Sequence, residues 1–101
     1  MIELILLLQA DSEIQGAFNR YEEIQSGRGE VFLRQLDLAF GIVRRNPEIG
    51  SKYGMNYRRI LVRGFPYGVF YQVQPARIIV AAVLDLRQSP DRLRKRLQSG
   101  G

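Results

Sequence analysis

The spacing of apolar residues changes at Asn46-Pro47, and this change constrains the fold more than any other feature of the sequence. Over 14–43, before it, apolar residues recur every three or four positions, as they do on one face of a helix. After it come three short runs rich in β-branched and aromatic residues, which are typical of strands. Helices grouped ahead of strands favour an α+β fold. The 101 residues suffice for one core, and we predict a single domain over 1–101.

The part of the chain before this change predicts one strand and a helical hairpin. Residues 2–8 are mostly apolar and are closed by polar residues, which is typical of a short buried strand. Asp11 or Ser12 can cap the first helix, and the glycines within 26–29 end it. Pro47 prevents the second helix from continuing, and the short connection predicts an antiparallel hairpin. The apolar stripes are Ile14, Ala17, Phe18, Tyr21 and Ile24 in the first helix, and Phe32, Leu36, Ala39, Phe40 and Val43 in the second.

The part after the change predicts a sheet and one more helix. Runs over 57–63, 69–73 and 77–86 are separated by short turns, which predicts an antiparallel meander. Ser89-Pro90 is a typical helix start, here of a short basic helix over 92–97. The predicted fold class is therefore α+β: an N-terminal strand, a helical hairpin, a three-stranded antiparallel meander and a short C-terminal helix. Because the middle strand is apolar at successive positions, we expect one sheet face to be open to a partner.

Two missing residue types restrict the chemistry of the chain. It has no Cys, which excludes a disulfide framework and a thiolate metal site. It has no His, which removes the usual general base and the usual zinc ligand. The glycines also lack the strand-to-helix spacing of a phosphate-binding loop. We therefore expect no metal, nucleotide or organic cofactor.

The charge is distributed unevenly along the chain. Residues 1–56 carry six basic and eight acidic side chains, a net charge of −2, whereas residues 57–101 carry nine basic and two acidic ones, a net charge of +7. A basic half of this density favours a polyanionic partner, such as nucleic acid, the ribosome or an acidic protein. The longest apolar run, 78–84, is too short to cross a bilayer. We expect a cytoplasmic protein with no membrane partner.

Four segments, taken in order, resemble the RelE/ParE toxins of bacterial type II toxin–antitoxin modules, which stabilise plasmids. The segments are Arg-Asn-Pro-Glu-Ile-Gly at 45–50, the Tyr-Arg-Arg-Ile-Leu-Val-Arg-Gly-Phe-Pro-Tyr-Gly-Val-Phe-Tyr run at 57–71, Ile-Ile-Val-Ala-Ala-Val-Leu at 78–84, and Arg-Gln-Ser-Pro-Asp-Arg-Leu at 87–93. The resemblance implies a RelE/ParE-like fold and a toxin that a cognate antitoxin neutralises. Antitoxins of this kind are commonly acidic, which suits the basic half of the chain.

The resemblance implies one of two activities. RelE-type members are mRNA interferases, metal-independent endoribonucleases that cut messenger RNA on the ribosome, whereas ParE-type members inhibit DNA gyrase and are not enzymes. Many RelE-type members carry an Arg at the position of Gly68, and Asp85 lies where an incoming phosphate would meet it. These two residues favour the ParE-type branch. A RelE-type nuclease, with Arg63 and Arg87 on phosphates, Tyr67 on a base and Lys95 as general base, stays open, as does a non-toxic relative that only binds antitoxin.

The resemblance also suggests where the partners bind. Under the gyrase hypothesis the target-binding surface is the basic C-terminal segment, with Arg87, Arg92, Arg94, Lys95 and Arg96. For the antitoxin we expect the apolar sheet residues Ile60, Val62, Val69 and Tyr71, together with the surface of the helical hairpin, to lose solvent exposure on binding.

Overall fold

A five-stranded sheet forms the centre of the computed structural model, which describes residues 2–99. The strands are β1 (Glu3–Leu6), β2 (Ser51–Tyr53), β3 (Tyr57–Leu61), β4 (Tyr67–Gln74) and β5 (Arg77–Asp85). Their order across the sheet is β1-β5-β4-β3-β2. Strand β1 runs parallel to β5, and the other neighbours are antiparallel. The N-terminal strand therefore lies beside the last strand of the meander, at one edge of the sheet.

The helical hairpin consists of α1 (Leu8–Ile24) and α2 (Arg28–Arg45). Gly27 joins them with a φ of 90°, a left-handed conformation that glycine adopts without a steric cost. The carboxylate of Glu22 accepts hydrogen bonds from the N–H groups of Gly27 and Gly29, at 3.2 and 2.7 Å. It thereby satisfies donors at the start of α2 that no N-cap side chain reaches. Helix α1 thus fixes both the position of α2 and the turn between them.

The hairpin covers one face of the sheet and forms the main core with it. Both helices and all four of the longer strands contribute apolar side chains to this core, and the turn after β3 adds Val62. Its buried members are Ala10, Ile14, Ala17, Phe32, Leu36, Val43, Val62, Tyr67, Val69, Tyr71, Ile78, Val80 and Val83. An aromatic cluster of Tyr21, Phe32, Phe65 and Tyr67 attaches the hairpin to the β3–β4 turn.

The second sheet face is covered in part by the C-terminal helix α3 (Pro90–Ser99). Leu93 and Leu97 of this helix pack on Phe70, Ala82 and Leu84. This corrects the expectation of an open sheet face, because the apolar side chains on both sides of β4 already have partners within the chain. The helix begins as predicted, with the Ser89 hydroxyl accepting a hydrogen bond from the N–H of Arg92 at 3.2 Å.

The structure confirms the predicted fold class and differs from it in two places. Strand β2, which the sequence indicates as a loop, pairs with β3 through the register Lys52↔Arg58. Helix α1 begins at Leu8, before the predicted cap, so β1 is shorter than the predicted strand. Over residues 2–99 we found no helix whose length and apolar character would let it cross a membrane.

Candidate functional site

Helix α3 carries the densest group of basic side chains in the structure. Arg92, Arg94 and Lys95 are exposed on it. Arg94 forms an ion pair with Asp91, one turn earlier on the same helix. A pair of this kind at the surface contributes little to stability, so the charge of Arg94 remains available to a partner. These three residues of the predicted target-binding surface are therefore accessible to a partner.

Arg96 lies on the opposite side of α3 and points into the protein. Its guanidinium contacts the Glu13 carboxylate at 2.6 Å and donates to the Ala81 carbonyl at 2.8 Å. Glu13 in turn accepts from the N–H of Val83 at 3.1 Å. Only 12% of the Arg96 side chain and 20% of the Glu13 side chain are exposed. Arg96 therefore attaches α3 to α1 and β5, and its inclusion in the exposed target-binding surface was wrong.

Arg87 follows β5 and is neutralised locally by Asp85. Its guanidinium contacts the Asp85 carboxylate at 2.7 Å, and its backbone N–H donates to the same carboxylate at 2.9 Å. The hydrogen bond from Arg87 is the main reason that the pKa of Asp85 lies below its usual value. Arg20 on α1 also lowers it through its charge, and Arg20 donates a hydrogen bond to the Tyr67 hydroxyl. The end of β5 is thus a charged network in which cations outnumber the carboxylate.

Gly68 lies where many RelE-type nucleases have an arginine, and the structure leaves little room for a side chain there. The residue is buried on the α3 side of the sheet. A Cβ at this position would lie 3.2 Å from both Leu86 Cδ2 and Arg59 Cγ. Leu86 is held in place because its N–H donates to the Pro66 carbonyl at 2.8 Å. The space that a side chain on residue 68 would need is therefore occupied by Leu86 and by the aliphatic part of Arg59, whose guanidinium lies over the Tyr53 ring.

The four residues of the nuclease hypothesis lie in different settings. Arg63 is exposed in the β3–β4 turn, and Lys95 is exposed on α3. Arg87 is bound to Asp85, and Tyr67 is only 2% exposed, with its hydroxyl held by Arg20. Within residues 2–99, no hydrogen bond or ion pair joins any two of these four side chains. Their arrangement offers no assembled acid–base pair for cleavage of RNA.

Three of the four sheet residues predicted to bind the antitoxin belong to the main core. Val62, Val69 and Tyr71 are at most 1% exposed, and Ile60 is half-buried against the same core. The prediction that their side chains form an open surface was therefore wrong, because the helical hairpin covers that face. The other part of the prediction, the outer surface of the hairpin, remains accessible.

A groove runs along that outer surface, between the two helices and the end of β1. It encloses about 510 Å³. Its apolar lining residues are Leu6, Ile14, Leu33, Leu36 and Phe40. Asp11, Arg34 and Asp37 are among its polar lining residues. An apolar groove with a polar rim on a helix pair is suited to the apolar face of a partner helix.

A second cleft lies beside β5, on the far side of α1 from this groove. It encloses about 520 Å³ between α1 and α3. Its walls and floor are Gln9, Ser12, Glu13, Gly16 and Arg20 from α1, Tyr67, Val83, Leu84 and Asp85 from the strands, and Gln88, Arg92 and Arg96 from the C-terminal segment. Sequence reasoning missed this cleft, since its α1 residues look like an ordinary solvent-facing stripe.

The comparisons with known proteins agree with this fold. The family model described as "ParE toxin of type II toxin-antitoxin system, parDE" matches residues 4–90. This chain belongs to the ParE toxin family. A solved structure described as "Chromosomal ParDE TA system from P. aeruginosa" is similar, with a TM-score of 0.66 and 13% identity over 86% of this chain and 98% of the other. At that identity the likeness shows a shared fold. No curated protein matches the chain.

Family membership confirms the predicted RelE/ParE superfamily and its ParE branch. The chain is therefore a ParE toxin domain of a type II toxin–antitoxin system, and membership in such a system implies an antitoxin partner. Among the described residues, no group of His, Cys, Asp and Glu is arranged to hold a metal ion.

Proposed function

We propose that this ParE-family chain inhibits DNA gyrase and that its antitoxin neutralises it. The observation that carries the proposal is the environment of Gly68. Residue 68 offers no cationic side chain, and the space for one is filled by Leu86 and the aliphatic part of Arg59, whose guanidinium lies over the Tyr53 ring. Asp85 pairs with Arg87, the cation that follows the last strand, at 2.7 Å. A protein–protein inhibitor needs an exposed binding surface and has no need of an assembled acid–base pair.

The surface that we propose for gyrase is the solvent-facing side of α3 and the adjoining end of β5. Arg92, Arg94 and Lys95 give it a positive charge, and Arg87 extends it. Clustered cations of this kind accelerate association with an acidic protein surface or with DNA held by a protein. Arg96 contributes indirectly, because its contacts with Glu13 and Ala81 hold α3 in place.

The experiment compares two double substitutions that remove the same charge. Expression of the chain alone in a bacterial host should stop DNA synthesis before protein synthesis, as measured by pulse labelling. Arg92→Gln with Lys95→Gln should weaken the effect. Arg44→Gln with Arg45→Gln, on the exposed C-terminal end of α2, should not. Early collapse of protein synthesis would instead support the nuclease alternative, and growth without harm would support a non-toxic relative.

For the antitoxin we propose the hairpin groove as the binding surface. Its apolar lining suits an amphipathic helix, and Leu33 on its wall is partly exposed without a partner. Leu33→Glu should abolish binding of the antitoxin and leave toxicity intact, because the side chain lies outside the main core. Hydrogen exchange over 33–42 should slow when the antitoxin binds. Unchanged exchange there, with protection elsewhere, would place the antitoxin on another surface.

A further inference from the structure

The outer edge of β5 loses its neighbouring strand halfway along its length. The parallel pairing with β1 ends at Leu6↔Val80, so β5 continues from Ala81 to Asp85 with no strand on that side. An unpaired strand edge presents backbone N–H and C=O groups that another extended chain can bind. The part of this edge from Val83 to Asp85 lines the cleft between α1 and α3.

The first position along this free edge is occupied by the Glu13–Arg96 pair. In a parallel ladder, one residue of the added strand donates its N–H to one carbonyl and accepts from the N–H two residues further on. Arg96 donates to the Ala81 carbonyl at 2.8 Å, and Glu13 accepts from the Val83 N–H at 3.1 Å. The two side chains therefore make the hydrogen bonds of one residue of a parallel strand.

The next position along the edge has the same geometry and no such occupant. The Val83 carbonyl and the Asp85 N–H point to the same side as the Val83 N–H, because backbone groups alternate along a strand. Neither of them is hydrogen-bonded to another residue of the described part of the chain. Both lie in the cleft, whose lining includes Val83 and Asp85.

The positive charge of the cleft favours acidic extended peptides over basic ones. Arg20 lines the α1 wall and Arg92 the α3 wall, and Arg96 on α3 is largely buried. Together with Arg87, which pairs with Asp85 of the lining, there are four guanidinium groups against two carboxylates, an excess of +2. Both carboxylates already have an arginine partner, Glu13 at 2.6 Å and Asp85 at 2.7 Å. The remaining guanidinium charge favours acidic side chains on the bound peptide.

Gly16 leaves the α1 side of the cleft without a side chain that would fill it. A glycine in the middle of a helix is less favourable than alanine, so the helix would gain stability from its replacement. A Cβ on Gly16 would meet only Arg20 Nη1, at 3.5 Å, so nothing in the core requires a glycine there. Because Gly16 has no side chain, there is space beside Val83 for a side chain of an added strand.

From these observations we propose that the cleft between α1 and α3 binds an extended acidic peptide as a short parallel strand on the outer edge of β5. The peptide backbone pairs with the Val83 carbonyl and the Asp85 N–H and continues the line of β1. Its side chains alternate between the two walls, so that acidic ones reach Arg92 on one side and Arg20 on the other. The cleft is separate from the hairpin groove, and the proposal holds whether or not the chain acts on gyrase.

The experiment uses the full chain and a fluorescein-labelled, capped peptide of about six residues built from Glu and Val. Two control peptides are needed. One replaces each Glu by Lys, and the other is N-methylated at its central peptide bonds, which removes the N–H groups that strand pairing requires. Binding is followed by fluorescence polarisation and by the NMR shift of the Asp85 amide. The acidic peptide should bind and move this resonance, and both controls should bind at least about tenfold more weakly.

Two matched protein variants locate the site. Gly16→Leu should weaken binding at least about tenfold by filling the cleft. Gly41→Leu changes a glycine on α2 whose Cβ would likewise meet only an arginine side chain, Arg45 at 3.7 Å, and it should leave binding unchanged. Thermal unfolding verifies that both variants fold, and Arg92→Gln, paired with Arg44→Gln as its control, tests the same site without filling it. The proposal is overturned if no acidic peptide binds, if the N-methylated peptide binds equally well, or if neither Gly16→Leu nor Arg92→Gln weakens binding relative to its control.

Discussion

At the scale of single residues, Tyr71 links the core to the corner between α2 and β2. Its hydroxyl donates to the Pro47 carbonyl at 2.8 Å and accepts from the Gly50 N–H at 2.9 Å. The ring is fully buried, so both backbone groups would lose a partner in a place that water does not easily reach. The residue that sequence reasoning placed on a binding surface is therefore a structural one.

Tyr71→Phe should lower the free energy of unfolding by about 1–3 kcal/mol, because it leaves a buried donor and a buried acceptor without partners. Denaturant titration measures the change. Tyr53→Phe is the matched control, since residues 2–99 supply no hydrogen-bond partner for the Tyr53 hydroxyl, and its effect should stay within about 0.5 kcal/mol. Equal effects of the two substitutions would contradict the role assigned to Tyr71.

The same burial predicts a response to alkaline pH. Removal from water raises the pKa of the Tyr71 hydroxyl above its ordinary value near 10. The unfolded chain then loses this proton at a lower pH than the folded chain does. The stabilisation that the protonated Tyr71 hydroxyl gives the folded chain is fully present below pH about 10 and is lost as the pH rises through the raised pKa. Wild-type protein should lose stability above pH 10 more steeply than Tyr71→Phe does.

The ion pair of Asp85 and Arg87 makes the free energy of unfolding depend on pH in the opposite direction, in the acidic range. The guanidinium of Arg87 holds the pKa of Asp85 below its usual value near 4. Because the folded pKa is depressed, the stabilisation is present above the unfolded pKa and is lost as the pH falls through the folded one. Arg87→Gln should raise the Asp85 midpoint in a carboxyl NMR titration, whereas Arg94→Gln should not. An unchanged midpoint in Arg87→Gln would show that the ion pair does not form in solution.

At the scale of elements, the crossing of α1 and α2 depends on Gly29. A Cβ there would lie 2.7 Å from Phe18 Cδ2 and 2.8 Å from Glu22 Cγ, closer than packed atoms allow. Gly29→Ala should therefore separate the helices and destabilise the protein by about 1–3 kcal/mol. Gly41→Ala on the same helix meets only Arg45 at 3.7 Å and should stabilise by up to about 1 kcal/mol. The same sign of change in both variants would contradict this account.

The sequence predicts best those elements in which a regular pattern of apolar residues continues over many positions. The stripes of α1 and α2 and the apolar runs of β4 and β5 lie where the spacing indicates, except that Ile24 at the end of α1 is exposed. Strand β2 could not be predicted in this way, because the three residues Ser51–Tyr53 are too few to show a period. It becomes a strand through its pairing with β3, a contact made in the folded chain.

At the scale of the whole molecule, the C-terminal helix turns a two-layer fold into one with both sheet faces partly covered. Leu93 and Leu97 supply the apolar contact, and the Tyr57 hydroxyl donates to the Leu97 carbonyl at 3.0 Å. Glu13 and Arg96, which are 83 positions apart, complete the attachment. The Ser89-Pro90 start predicts that α3 is a helix, but it does not specify which sheet face the helix covers.

The candidate site, too, could be predicted only in part from the sequence. The basic composition of α3 is visible in the sequence, and three of its four cations are exposed. That Arg96 turns inward depends on Glu13 and on the free edge of β5, which only the folded chain brings together. The burial of the sheet residues expected to bind the antitoxin was missed for a related reason, since alternation along a strand does not specify which face the helices cover.

We propose that this ParE toxin acts on gyrase and does not cleave messenger RNA. The most direct measurement combines purified toxin with gyrase and relaxed plasmid in one reaction, and with ribosomes and messenger RNA in another. The account predicts inhibited supercoiling, weakened by Arg92→Gln with Lys95→Gln but not by Arg44→Gln with Arg45→Gln, and intact messenger RNA. Unaffected supercoiling together with messenger RNA cut on the ribosome would contradict it.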